Sequence, residues 1–366
     1  MKGRWSDPMT ILRHRLFWPA AVLVVLLISN LVFSDNFFTI RLQDGHLYGS
    51  LIDILRRSAP LVLVALGMTL VIATGGIDLS VGSVMAISGA LACLLIGDLS
   101  NPDALGPVLL VVGAAIALCL VAGLWNGFLV AVLGIQPIIA TLILMVAGRG
   151  VAQLITGGQI LNVHSAPYRV IGAGYFLALP VSFLIATAAV ALTVALTRRT
   201  ALGLLLESVG GSPTASRLAG IRSRRITIMV YVFAAGFAGV AGLIYSSDVS
   251  SADSNAAGNL IELNAILAVV LGGTALTGGR FSIAGSVLGA VVITTLDITA
   301  VSVGVPVETT LLFKAVVVII LCLAQSATFR AKVFGRFSAE RADVQRADVQ
   351  TADVQRSDVE RSDVPG

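Results

Sequence analysis

The feature that most limits what this chain can become is the length of its apolar runs. Residues 107–131 and 226–245 carry no charge at all, and residues 137–155 carry one, Arg149. A bilayer core about 30 Å thick is crossed by roughly 20 mostly apolar helical residues. Across all 366 residues, 57% are apolar and 12% charged, and the mean hydropathy is +0.95. Soluble domains run nearer about 45–50% and 25%. A water-soluble fold of this size could not cover so much apolar surface. The chain therefore reads as all-α, a polytopic transmembrane helix bundle.

About ten spans can be laid out, at 17–33, 60–74, 80–96, 107–131, 137–155, 176–196, 226–245, 265–275, 282–299 and 307–324. The first follows Lys2, Arg4, Arg13 and Arg15 as a signal peptide would. No small-x-small cleavage site follows, so it reads as a retained helix. Lys and Arg gather in the short loops that stay in the cytoplasm. The connection 197–226 carries Arg198, Arg199, Arg217, Arg222, Arg224 and Arg225 against one acid, Glu207, and is expected inside. Ten spans put both termini on that side too. Arg41, Arg56 and Arg57 break the pattern, unless the second helix starts near Ser50 and its arginines snorkel. Three regions result: a cytoplasmic segment 1–16, a membrane domain 17–325, and a cytoplasmic tail 326–366. The tail repeats Arg-Ala-Asp-Val-Gln and its variants from Arg341. A strict five-residue period with one Val per repeat builds no core, so the tail is expected to be disordered or a partner-binding arm.

The net charge of +4 and pI of about 9.2 come from residues scattered between apolar spans, without a basic face or interleaved aromatics, which argues against nucleic acid. Cys93, Cys119 and Cys322 each sit within an apolar run and read as small core residues. His14, His46 and His164 make no cluster, so neither a metal nor a cofactor is expected.

The most informative stretch runs from Gly67 through Thr74-Gly75-Gly76-Ile-Asp78-Leu-Ser80 to Gly82. An apolar helix stops at the glycine pair, presents an acid, and starts again. Non-helical backbone at membrane depth persists only where protein or a water-filled cavity satisfies it. Asp78 is placed either to cap the restarting helix or to stand beside a polar pathway. Thr277-Gly-Gly followed by Gly285-Ser-Val echoes Thr74-Gly-Gly followed by Gly82-Ser-Val at equal spacing. Paired interruptions of this kind can mark a transporter's central site, and a Gly-rich sequence also produces them by chance. Asn126, Gln136 and Thr141 offer neutral donors and acceptors, suited to an uncharged polyol or to bonding between helices. Arg149 reads as a headgroup anchor, ahead of a place at the outer mouth. In the basic connection, Ser212, Pro213 and Gly220 predict a short helix that could dock into another protein's groove.

These residues carry a resemblance. Gly67-Met-Thr-Leu-Val-Ile, Gly76-Ile-Asp78-Leu-Ser-Val-Gly, Asn126-Gly, Gln136-Pro137, Ala140-Thr141-Leu and Ala219-Gly220-Ile221 resemble the ribose/xylose/arabinose-type permeases of bacterial ABC sugar importers, over about residues 50–325. Leu42-Gln-Asp-Gly and the run 142–156 are most similar to the galactofuranose permeases among them. The resemblance implies a type II-like permease in the bacterial inner membrane, importing galactofuranose or a similar pentose or hexose. It implies as partners a cytoplasmic ATP-binding subunit, a second permease subunit, a periplasmic sugar-binding protein and membrane lipid. It makes Gly210, Gly211, Ala215, Arg217, Gly220 and Ile221 the contact to the ATPase. Thr74, Gly75, Gly76, Asp78, Ser80, Asn126, Gln136 and Thr141 become the candidate translocation pathway. Ser212 departs from the Asn common in such loops, and the repeat tail has no family counterpart.

The sequence has no Gly-x-x-x-x-Gly-Lys-Ser/Thr loop, so nucleotide hydrolysis is expected on a separate chain and this one is not expected to be an enzyme. The alternative is an ion-coupled secondary sugar transporter. It would need an ionisable group at depth, for which Asp78, Arg149, Asp297 and Lys314 are available.

Overall fold

The computed structural model describes residues 16–33, 37–43 and 45–325. Nearly all of the basic N-terminal segment, and the whole repeat tail, lie outside the described residues. The chain divides into two compact units, Met1–Thr310 and Leu311–Gly366, and the second is described here only through its helix.

Thirteen helices follow one another among the described residues: α1 Phe17–Phe33, α2 Ser50–Ala73, α3 Val81–Gly97, α4 Leu105–Ala131, α5 Pro137–Thr156, α6 Ala166–Ala173, α7 Val181–Arg199, α8 Leu202–Gly211, α9 Pro213–Leu218, α10 Ser223–Val249, α11 Ile261–Leu271, α12 Ile283–Ser302 and α13 Val307–Gln325. Three small antiparallel ribbons join Arg41–Gln43 to His46–Tyr48, Leu161–Asn162 to Ser251–Ala252, and Tyr175–Phe176 to Leu179–Pro180. Each of the ten apolar stretches is occupied by a helix. Six of these, α2, α4, α5, α7, α10 and α12, are long and apolar enough to cross a membrane. By contrast α11 has 11 residues, about 16 Å of helix, or half a bilayer core.

The second helix does begin at Ser50. One of its two arginines finds acids nearby: Arg56 lies 3.9 Å from Asp53 and 3.5 Å from Asp248. That pairing accommodates Arg56 at the end of the bundle opposite the basic connection.

Apolar side chains gain little from leaving lipid for each other, so helices in such a bundle associate by close van der Waals packing and interhelical hydrogen bonds. The sequence of α10 is built for this. Ala234, Ala235, Ala238, Gly239, Ala241 and Gly242 are buried, and α2, α3 and α4 pack around them. A methyl on Gly242 would run into the Met85 carbonyl of α3. One on Gly123 of α4 would stand 2.6 Å from the Tyr231 carbonyl, and one on Gly67 of α2 would stand 2.7 Å from the Ala234 Cα. Buried polar pairs add to this: Asn30 Nδ2 donates to Thr299 Oγ1 at 2.6 Å between α1 and α12, and Thr69 Oγ1 donates to Ser286 Oγ at 2.7 Å between α2 and α12.

These contacts fix depth. The Tyr231 hydroxyl faces Gly76, and Tyr231 stands eight residues along α10 from Ser223, a rise of about 12 Å. The turn between α2 and α3 is therefore inside the bundle rather than at its surface. After α10 the chain also folds back inward, until Gly258 touches the backbone of Gly82 in the first turn of α3.

Replacing Gly242 by Val should lower the melting temperature of the purified protein in detergent, by overpacking that costs about 1–3 kcal/mol or more. Gly113→Val, where an added methyl meets nothing within 4 Å, should melt close to the parent. Equal melting of the two variants would remove the packing role given to α10.

Candidate functional site

The turn linking α2 to α3 is held by a relay of buried side chains. Asp78 is 1% exposed. Its Oδ1 accepts from the Ser80 backbone N–H at 2.9 Å and from the Ser80 hydroxyl at 2.6 Å. The Ser80 hydroxyl in turn accepts from Asn126 Nδ2 of α4 at 2.8 Å. Ser83 Oγ donates to the Ser80 carbonyl at 2.8 Å. Thr141 Oγ1 of α5 lies 2.9 Å from the Pro137 carbonyl and 3.3 Å from the Ile77 carbonyl. Asp78 thus holds the residue that precedes α3, close to the capping role its position allowed. Asn126 Oδ1 and the Tyr231 hydroxyl, both buried, have no hydrogen-bond partner among the described residues. A buried polar atom left unpaired is uncommon enough to mark a place built for more than packing.

The two Thr-Gly-Gly segments meet. Gly279 N–H donates to the Ala73 carbonyl at 2.9 Å. A methyl on Gly278 would stand 3.0 Å from the Gly75 Cα, and one on Gly210 would run into the same Ala73 carbonyl. Gly75, Gly278 and Gly279 take φ of +82°, +87° and +89°, a left-handed backbone open chiefly to glycine. One junction therefore joins the end of α2, the turn before α12, and the last turn of α8 in the basic connection.

The connection itself folds as its residues suggest. Ser212 Oγ accepts from the Ala215 N–H at 3.2 Å, Pro213 fills the first turn of α9, and Gly220 follows with φ +83°. Ser216 Oγ donates to the Ser208 carbonyl at 2.8 Å, clamping α9 onto α8. Gly211, Ala215, Arg217 and Gly220 are exposed, Gly210 and Ile221 half-buried. Leu218, 87% exposed, stands out among them.

Of the eight pathway candidates, Gly76, Asp78, Ser80, Asn126 and Thr141 are buried together, Thr74 is half-buried, and Gly75 is exposed at the junction. The structure does not bring Gln136 to the group: it is the exposed N-cap of α5, and its side chain makes no capping bond. Arg149 also departs from expectation. Half-buried, its guanidinium donates to the Ser254 and Ala257 carbonyls at 2.7 and 2.6 Å, a role in holding a loop that the sequence did not suggest. Sequence reasoning also passed over a cavity of about 550 Å³ at the end away from the basic connection. Asp53, Arg57, Asn259, Asn264 and Asp297 line it, and none of the eight candidates does. The one signal for it was a cluster of polar and charged residues near the ends of apolar stretches.

An apolar helical bundle with an interrupted helix pair at depth, tied to an exposed helix at one end, is the architecture of a polytopic membrane protein, and the relatives of the chain supply the function. The chain belongs to the family described as branched-chain amino acid transport system / permease component, matched over residues 50–322. It is 46% identical over 336 residues to the galactofuranose transporter permease protein of Escherichia coli strain K12, covering 90% of this chain and 96% of that one. It is 41% identical over 322 residues to the fructose import permease protein of Bifidobacterium longum, covering 86% and 89%. Against the ribose import permease protein of Escherichia coli strain K12 it is 35% identical over 311 residues, covering 84% and 92%. No solved structure matches the chain.

Asp78→Ala leaves the Ser80 N–H and hydroxyl without their buried acceptor and should cost about 1–3 kcal/mol, read as a lower melting temperature. Asp78→Asn keeps one acceptor oxygen and should lose clearly less. If the two lose the same amount, the relay does not hold the turn.

Proposed function

We propose that this chain is the membrane-spanning permease subunit of an ATP-binding cassette importer that carries a monosaccharide, galactofuranose or a similar pentose or hexose, into the cytoplasm. Three relatives named as galactofuranose, fructose and ribose permeases, each aligned over most of its own length, support the solute class. The observation that carries the mechanism is the Gly210 junction. In this reading the basic connection faces the cytoplasm of a bacterium, with both termini on that side of the inner membrane. A partner ATP-binding subunit docks on α9 and the turn after it, through Ala215, Arg217 and Gly220. Its closure on nucleotide shifts α8, and Gly210 passes that shift to the end of α2 and the turn before α12.

The pathway then runs past Thr74, Gly75, Gly76, Asp78, Ser80, Asn126 and Thr141. A second permease subunit completes it, and a periplasmic binding protein delivers the sugar. The chain supplies a route and a mechanical link, and the partner supplies hydrolysis.

The link predicts an asymmetry between adjacent glycines. Gly210→Ala collides with the Ala73 carbonyl, whereas a methyl at Gly211 meets nothing within 4 Å. In the reconstituted complex, Gly210→Ala should reduce sugar-stimulated ATP hydrolysis about tenfold, equivalent to about 1.4 kcal/mol of coupling, while Gly211→Ala stays near the parent. Gly220→Val, which forces a branched side chain into a left-handed backbone, should also uncouple hydrolysis from sugar while the permease still inserts. Sugar uptake that persists in vesicles lacking any ATPase would instead support ion-coupled transport.

A further inference from the structure

The segment 253–260 is the part of the fold that neither the interrupted helices nor the basic connection account for. It leaves α10 through Ser250 and joins α11 through Leu260, and both take a left-handed backbone, at φ +53° and +59°. Residues with side chains persist there only when their surroundings impose it. Those surroundings are one face of α5. Arg149 Nη1 takes the Ser254 and Ala257 carbonyls at 2.7 and 2.6 Å. Gln153 Nε2 donates to Asn255 Oδ1 at 2.8 Å, and Thr156 Oγ1 lies 3.3 Å from Ser254 Oγ. Positions 149, 153 and 156 recur at four and three residues, so they form one stripe along α5. Three side chains on that stripe grip a single returning loop.

The same loop lines the cavity of about 550 Å³, within the range of about 300–1,000 Å³ common for small-molecule sites. Ala256, Gly258 and Asn259 of the loop share it with Ile261 and Asn264 of α11 and with residues of α2 and α12. Asp53 and Arg57, one turn apart on α2, line it together with Asp297 of α12, Asn259, Asn264 and Tyr245. Carboxylates, a guanidinium and amides together present acceptors and donors without a field of one sign. That mixture matches the hydroxyl groups of a neutral polyol better than it matches an ion.

We propose that this cavity receives the sugar at the outer face, and that segment 253–260, held by Arg149, Gln153 and Thr156, is its closed floor. The inference rests on the import reading, which decides that this face is the outer one. Release of the floor from α5 opens the way from the cavity to Gly82 and the first turn of α3. Arg149 acts here as a positioning residue.

The test uses the complete transporter in vesicles with its ATP-binding and sugar-binding partners, its native cysteines replaced by alanine. D-galactose, D-fructose and D-ribose serve as probes. Asn259→Cys should react with an impermeant thiol reagent applied outside, and a probe that is imported should slow that reaction about tenfold near saturation. Ser83→Cys, buried beyond the Gly82 contact, should stay unreactive until Arg149→Leu is added. If Arg149→Leu fails to assemble, Arg149→Lys serves, since it keeps the charge and loses the fork. An unreactive Asn259→Cys, or an imported sugar that does not slow its labelling, overturns the cavity. Continued shielding of Ser83→Cys after the Arg149 change overturns the floor. Failure of the parent transporter to import any of the three sugars overturns the import reading, and the inference with it.

Discussion

Everything in this fold depends on how closely backbones can approach. Hydrophobic burial separates helices from water but barely distinguishes a neighbouring helix from lipid. What sets the arrangement is the removal of side chains at chosen points, so that carbonyls and Cα atoms of two helices come into contact. Gly67, Gly123 and Gly242 do this around α10, and Gly258 against Gly82 does it for the returning loop. Because the contacts are backbone to backbone, they fix axial position as well as neighbour identity. That is why the turn after α2 falls at depth, opposite Tyr231.

Once non-helical backbone is placed at depth, its polar groups need partners, since lipid offers none. The fold meets this need twice and in different ways. At the α2–α3 turn the partners are short: Asp78, Ser80 and Asn126 in one relay, and Thr141 on the Ile77 carbonyl. At segment 253–260 a long side chain reaches in from α5, and one guanidinium takes two carbonyls. A compact relay is hard to loosen stepwise, whereas a grip by three separate side chains can let go. The difference suits a fixed turn near the mechanical junction and a movable floor under the cavity.

Much of this was legible in the residues. The ten apolar stretches each hold a helix, Ser212 and Pro213 open α9, and Asp78 sits next to the helix start it was expected to serve. All of these follow from local signals, either hydropathy over a window or a cap within a few positions. The starting point of α2 was less clear, because Arg56 and Arg57 count against an apolar span until Asp53 and Asp248 are known to lie beside Arg56. Gln136 looked like Asn126 and Thr141 in chemistry, yet it ends up exposed at a helix N-terminus. Residue type suggested a shared pathway, but facing direction depends on how α4 and α5 are rotated about their axes.

The sequence by itself determined the class of solvent, the helical segments, the places where helices break, and the short helix of the basic connection. Each is decided by neighbours along the chain, through hydropathy and through backbone preferences of Gly, Pro and Ser. Only the tertiary structure decided that the two Thr-Gly-Gly segments, about two hundred residues apart, share one junction with Gly210, and that Arg149 turns toward a loop. Nor did any local pattern show which polar residues enclose a cavity. Such contacts arise when helices distant in sequence settle at a depth set by their glycines, and a one-dimensional pattern carries no record of that depth.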